Sequence, residues 1–513
     1  MPPEGSKIDI TRTLFSVVFV FMGLAGLGFS IYLFSVSNTW QMLAVAILFT
    51  ILALSAAFFS IFAAYMYYKA KDCDQYISNL KRTVKPLKRF PTVAVVMPTF
   101  NEDISITERN IKRLMEMDYP KNKMAFYLLD DSTDTNIAER LRSFSSKNGI
   151  RYIHRENRNG FKAGAFNNML KNSKEEFIAL FDYDEYLTNT GFLKNLLPFF
   201  EDKKLCYLQT EKHFAKGTFF SDTVDLFNGF FFKFIQSARV FDNTAMFAGS
   251  CGIIRTSTIK ELGGFPEYVT EDTFFSFESD MHGYKGLYIP DVYALGNPMG
   301  TFTALAKQQW RYNYGVNQFM SYYLHHSREK KLSLKAKIEY LAHGFGLNFL
   351  SIMLIMFTVV SVLLVFMAFP FASFTLAQFV RQPLALRYME VLGMLSFLLS
   401  LLVPVILTKL YFKSFKRGIM LFALNFTLSF IRAKAALAAL LHKNPYKSWT
   451  KSDAGKSSIY MAIKNTGTEL TFSAFLFITA FVALYTKNTA GGIWLCWYGA
   501  MFAMTTLMFY KYG

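Results

Sequence analysis

Acidic residues recur in this sequence just beyond short apolar runs rich in β-formers. Asp182 and Asp184 follow Phe177 to Phe181, and Asp130 and Asp131 follow Ala125 to Leu129. An Asp-x-Asp pair at the end of a buried strand offers hard oxygens to a divalent cation, and magnesium is commonly held by one or two carboxylates plus substrate phosphates. Adjacent carboxylates such as Asp130 and Asp131 repel unless a cation or hydrogen-bond donors lie between them. Asp and Ser after a strand also cap the following helix, and that reading stays open for Asp134. Gly160 to Ala165, GFKAGA, places small residues around Lys162 at a predicted helix start. Backbone N–H groups and an ammonium there suit a phosphate, and ordinary helix entry is the alternative. Glu271 and Asp272 follow the turn Gly263 to Pro266. They read either as helix-capping acids or as a general base, which must lie within hydrogen-bond reach of an attacking hydroxyl. Gln308, Trp310, Arg311 and Tyr312 combine amide, guanidinium and aromatic faces. Arg suits a diphosphate, and an aromatic ring suits stacking under a sugar.

The elements that must position these groups lie between residues 90 and about 330. Thr92 to Met97, Ala125 to Leu129, Arg151 to His154, Phe177 to Phe181 and Leu205 to Gln209 alternate with polar, helix-like stretches. That rhythm predicts βαβ units in a mostly parallel sheet, which binds ligands beyond the carboxyl ends of its strands.

The surrounding chain has a different character. Of 513 residues, 52% are hydrophobic and only 18% charged, which excludes disorder and an ordinary soluble surface. Apolar runs near 14–35, 41–68, 346–370, 388–412, 468–486 and 491–510 each approach the roughly 20 residues that span a bilayer. The run 418–441 has basic residues at both ends: Lys409, Lys413, Lys416 and Arg417 before it, and Arg432, Lys434, Lys443, Lys447, Lys451 and Lys456 within or after it. By the positive-inside rule it is expected to be an interfacial helix, its basic face on the headgroups. Six crossings follow, two before and four after a cytoplasmic domain, and no further domain is expected after the last. The expected divisions are a membrane hairpin over 1–80, the α/β domain over 90–330, and membrane and interfacial helices over 331–513. The formal charge of +18 is flanking charge of this kind, and no aromatic-interleaved basic stripe predicts nucleic-acid binding. Cys73, Cys206, Cys251 and Cys496 have no metal-site spacing.

In order along the chain, LDDSTD (129–134), GFKAGA (160–165), the Asp-x-Asp at 182–184, TED (270–272) and QQWRY (308–312) resemble the membrane-embedded family 2 glycosyltransferases: cellulose, hyaluronan and chitin synthases and plant glucomannan synthases. The resemblance implies a Rossmann-like GT-A α/β domain set between transmembrane helices. It implies a UDP- or GDP-linked sugar donor, Mg2+ or Mn2+, and a growing glycan as partner. Asp130, Asp131, Lys162, Asp182, Asp184, Gln308 and Arg311 would bind the donor, Asp182 and Asp184 with the metal. Asp272 would be the base, beside Glu271. Tyr312, Trp310, His213 of QTEKHF (209–214), and Gly249 and Ser250 of FAGSC (247–251) would line the acceptor side. YKSWTK (446–451) resembles a gating loop, placed over 443–460. The expectation is an inverting polymerase of a β-glucan or β-mannan at the plasma membrane, with its catalytic domain cytoplasmic and its product translocated. Tyr312 stands where the family has Trp, which leaves transfer of one sugar to a lipid-linked or other membrane acceptor as the alternative. Sugar, linkage and oligomeric state are not predicted.

Overall fold

A computed structural model describes residues 4–326, 332–366, 405–442, 458–486 and 488–513, together with Leu402. Eight strands form one sheet: β1 (Val93–Thr99), β2 (Met124–Asp130), β3 (Arg151–His154), β4 (Phe177–Leu180), β5 (Glu185–Leu187), β6 (Leu205–Phe214), β7 (Gly252–Arg255) and β8 (Lys285–Gly296). Their spatial order is β3-β2-β1-β4-β7-β6-β8-β5.

The first four neighbours, β3 to β4, are parallel, as the βα rhythm predicts. In the other half β6 and β8 also pair in parallel, so the sheet is mostly parallel as expected, with two strands reversed. β7 runs antiparallel to both β4 and β6, and β5 runs antiparallel to β8, so the sheet is mixed. These strands escape a pattern reading for physical reasons: β5 and β7 are three and four residues long, and β8 carries Pro290 and Asp291 inside its run.

Successive residues of β1 face opposite sides of the sheet. Val93, Val95 and Met97 enter one apolar layer, with Ile111, Leu114, Leu141 and Phe144 from two helices. Ala94 and Val96 enter the other, with Phe166, Met169 and Phe275 from the opposite face. Burial on both faces explains why β1 and β4 read as continuous apolar runs.

Long apolar helices flank the domain. Glu4–Val36 and Trp40–Lys69 pack side by side before it, and Leu334–Phe366, Gly467–Tyr485 and Thr489–Tyr512 follow it. By length and composition, five helices among the described residues can cross a membrane, or six if the bent pair Leu334–Gly346 and Ser351–Phe366 is one span. Phe415–Leu440 is among the five, although it consists of two helices, Phe415–Thr427 and Ser429–Leu440, joined at Leu428. Arg432, assigned above to an outward basic face, instead turns inward and is buried, because Gln309 and Asn425 offer its guanidinium acceptors there. Most of the apolar run 388–412 and most of the gating-like segment 443–460 lie outside the described residues.

Candidate active site

Register brings the chemistry to one edge of the sheet. Leu180 of β4 pairs with Gly252 of β7, which pairs with Gln209 of β6. Just beyond that row lie Asp182, the turn Gly249 to Cys251, and Lys212. The same edge holds the ends of β1 and β2, where Thr99 pairs with Asp130.

The turn after β4 is closed by Glu185. The Asp182 N–H donates to Glu185 Oε2 at 2.8 Å, and the Glu185 N–H donates to the Asp182 carbonyl at 3.1 Å. The Asp182 carboxylate accepts from Lys162 Nζ at 2.5 Å, and Lys212 Nζ stands 3.7 Å from its other oxygen. Burial opposes ionisation of Asp182, but the ammoniums of Lys162 and Lys212 overcome it and hold the carboxyl well below its usual range. Asp184 has the opposite balance. Burial, then the carboxylates of Asp182 and Glu185, push it up to about 7.

Lys162 occupies the first turn of the helix Phe161–Asn172, whose N-cap Gly160 has φ +69°. Its ammonium also donates to the Gly249 carbonyl at 2.9 Å. Gly249 has φ +82°, and a Cβ there would lie 3.2 Å from Asp272 Oδ2 and 3.9 Å from Lys162 Nζ. Lys162, Asp182 and Asp272, 110 residues apart at the extremes, therefore meet around one glycine. Asp272 lies within the first turn of the helix Glu271–Met281 rather than at its cap, and its Oδ1 accepts the neighbouring Thr273 N–H at 2.8 Å. Burial raises its pKa, and burial with the Asp272 charge pushes Glu271 up to about 7. Arg311, on the helix Phe302–His326, is close enough to favour ionisation of both acids. Gly315 of that helix lies against Thr270, so the two motifs pack directly together.

The remaining expected residues surround this cluster at varying distance. Asp130 is completely buried, and its oxygens accept from the Ser132 N–H at 3.0 Å and the Tyr152 hydroxyl at 2.6 Å. Asp131 receives both Nε and Nη2 of Arg155, which also donates to the carbonyls of Asn159 and Phe161. That fork fixes the loop leading to Lys162. Asp134 takes the capping role, accepting from the N–H groups of Asn136 and Ile137. Ser250 lies beneath the site rather than lining it. It is fully buried, and its hydroxyl donates to Glu185 at 2.7 Å and accepts from Lys212. His213 has both ring nitrogens occupied, by Asp225 and Glu211 at 2.9 Å each. Burial lowers its pKa, but those two carboxylates outweigh it and lift it to about 9. Trp310 stacks on Tyr314 and packs against the helix Ser429–Leu440, whereas Tyr312 is exposed and Gln308 half-buried.

Lys212, Glu185 and Arg155 are participants that the motif reading missed. Lys212 had a signal: it directly follows seven buried positions of β6, where an ammonium is tolerated only if paired.

A mixed α/β sheet carrying carboxylates and lysines at its carboxyl edge has the chemistry of a phosphate-ester site at a ligand-binding edge. Residues 94–263 match the profile of Glycosyl transferase family 2, a likeness that fits the α/β sheet described above. The chain is 34% identical over 250 residues to a cellulose synthase catalytic subunit (UDP-forming) of Pseudomonas fluorescens, covering 47% of this chain and 33% of that protein. It is 31% identical over 281 residues to a probable glucomannan 4-beta-mannosyltransferase 7 of Oryza sativa, covering 50% and 46%. The chain thus spans less than half the length of these curated relatives. Among solved structures, a mannosyltransferase of Pyrobaculum calidifontis in complex with GDP-Man and Mn2+ is similar at a TM-score of 0.49 and 17% identity, over 74% of this chain and 99% of that one.

Proposed function

We propose that the protein is a membrane-embedded, inverting glycosyltransferase that extends a β-linked polysaccharide, of glucan or mannan type, from a nucleoside-diphosphate sugar. The observation that carries this reading is the meeting of Lys162, Asp182 and Asp272 around Gly249.

The residues fit a divalent cation. Among the described residues, no three His, Cys, Asp or Glu side chains converge to hold an ion unaided. Asp182 and Asp184 supply two hard donors, and a diphosphate would complete the shell. Five carboxylates (Asp182, Asp184, Glu185, Glu271, Asp272) face three cations (Lys162, Lys212, Arg311), and burial together with this excess of two negative charges raises Asp184 and Glu271. A bound Mg2+ or Mn2+ would neutralise charge on the departing diphosphate as a Lewis acid.

The chain's own residues do the rest. Lys162 and Arg311 bind phosphate charge, and the Gly249 carbonyl orients the lysine. Asp272 accepts the proton of the acceptor hydroxyl as that oxygen attacks the anomeric carbon. Its raised pKa makes it a better proton acceptor than an exposed Asp. One displacement inverts the centre, so an α-linked donor yields a β-linked product. Tyr312, exposed beside Arg311, offers its ring to the acceptor end of the chain. The apolar helices support placement in a membrane, taken in this reading as the plasma membrane with the domain on the cytoplasmic side, and their aromatic residues offer a path for the product.

The test is incubation of the purified full chain with radiolabelled UDP- and GDP-sugars and either Mg2+ or Mn2+, followed by sizing. Label in a polymer degraded by a β-glucanase or β-mannanase is expected. One sugar added to a lipid would support the single-transfer alternative, and no transfer from any donor would overturn both.

A further inference from the structure

The second ammonium at Asp182 has no role in the reading above. Lys212 Nζ lies 3.7 Å from Asp182 Oδ2 and 3.1 Å from Glu185 Oε1, and it hydrogen bonds the Ser250 hydroxyl. With the Ala248 carbonyl at 3.5 Å, four acceptors surround the ammonium, one of which is a carboxylate expected to bind the metal. Lys162 covers the other Asp182 oxygen at 2.5 Å. In the ligand-free protein both oxygens of Asp182 therefore face an ammonium, which opposes a cation arriving there. Glu185 is fixed independently, by the Asp182 N–H and the Ser250 hydroxyl, and so remains an anchor for Lys212 if the Asp182 contact breaks.

We infer that Lys212 is a positioning residue that makes divalent-cation and nucleoside-diphosphate binding depend on each other. This rests on the proposed donor site. A diphosphate beside Asp182 gives the two ammoniums a stronger anionic partner. Lys212 then keeps Glu185 and Ser250, exchanges Asp182 for phosphate oxygen, and frees the aspartate for the cation. Without the nucleotide the lysine repels the cation, and without the cation Asp182 competes for the lysine. The coupling is reciprocal, as linkage requires. Its consequence is a site that resists charging with metal alone and closes around a metal–nucleotide pair.

The full chain in detergent is titrated with Mn2+, free ion being read by electron paramagnetic resonance, alone and with saturating UDP or GDP. In the wild type, nucleotide should tighten Mn2+ binding. In Lys212→Met, Mn2+ alone should bind about tenfold tighter than in the wild type, a typical coupling magnitude, and the nucleotide effect should shrink correspondingly. Lys212→Arg keeps the charge and should keep the coupling, which also controls for folding. Unchanged or weaker Mn2+ binding in Lys212→Met, with nucleotide coupling intact, overturns the role of Lys212 while leaving the donor site standing. A wild type that binds Mn2+ with neither nucleotide overturns the donor site itself.

Discussion

Replacing Asp184 by Asn should stabilise the ligand-free protein at alkaline pH. Its carboxyl titrates at about 7 in the fold against an ordinary 3.8, because burial and the carboxylates of Asp182 and Glu185 disfavour its charge. The folded chain therefore holds an extra proton between these values, and stability falls as pH rises through that window. At 1.36 kcal/mol per pH unit, the penalty at pH 8 is about 4 kcal/mol, and at pH 5 it is under about 2 kcal/mol. Asp184 is half-buried, so solvent screening reduces these to about 2 and 1 kcal/mol. Asn keeps the shape without the charge. With a chelator present, Asp184→Asn should melt about 4–8 °C above the wild type at pH 8. At pH 5 the gain should fall to half or less. Mn2+ with a nucleoside diphosphate should raise the wild-type midpoint and leave that of the variant almost unchanged. Fluorescence-monitored melting at both pH values reads all three. No gain at pH 8, or an equal gain at both, would refute the account of repulsion at this carboxylate.

Other perturbations separate the roles of the surrounding groups. Asp272→Asn should lower transfer by about 10³-fold, while nucleoside-diphosphate affinity, read by calorimetry, stays within about threefold of the wild type. Gly249→Ala forces a side chain onto φ +82° and against Asp272, which should cost about 1–2 kcal/mol of stability and, by displacing the Lys162 acceptor, about 10²-fold in kcat. Arg155→Lys loses the fork that grips Asp131, Asn159 and Phe161, so the KM for donor should rise about tenfold with a smaller effect on kcat.

Strand ends were the most legible part of the sequence. β1, β2 and β4 are buried on both faces, which writes them as continuous apolar runs and makes the acids beyond them conspicuous. β5 and β7 are too short for a pattern, and their antiparallel pairing depends on contacts far away in the chain. Motif spacing marked Lys162, Asp182 and Asp272, but a motif cannot reveal what each side chain touches. Ser250 and His213 were expected on the acceptor side, and their polar atoms are already used by Glu185, Lys212, Glu211 and Asp225. Arg432 counted toward an outward basic face, yet its guanidinium finds Gln309 inside. Apart from Glu211, which shares β6 with His213, these partners come from other strands or helices, and only the register of the sheet or the packing of helices supplies them.

The anomeric configuration of the product tests the central claim most directly. Nuclear magnetic resonance of the glycan made by the purified chain from an α-linked nucleotide sugar should show only β anomeric protons, as a single displacement with Asp272 as base requires. An α-linked product would contradict that mechanism.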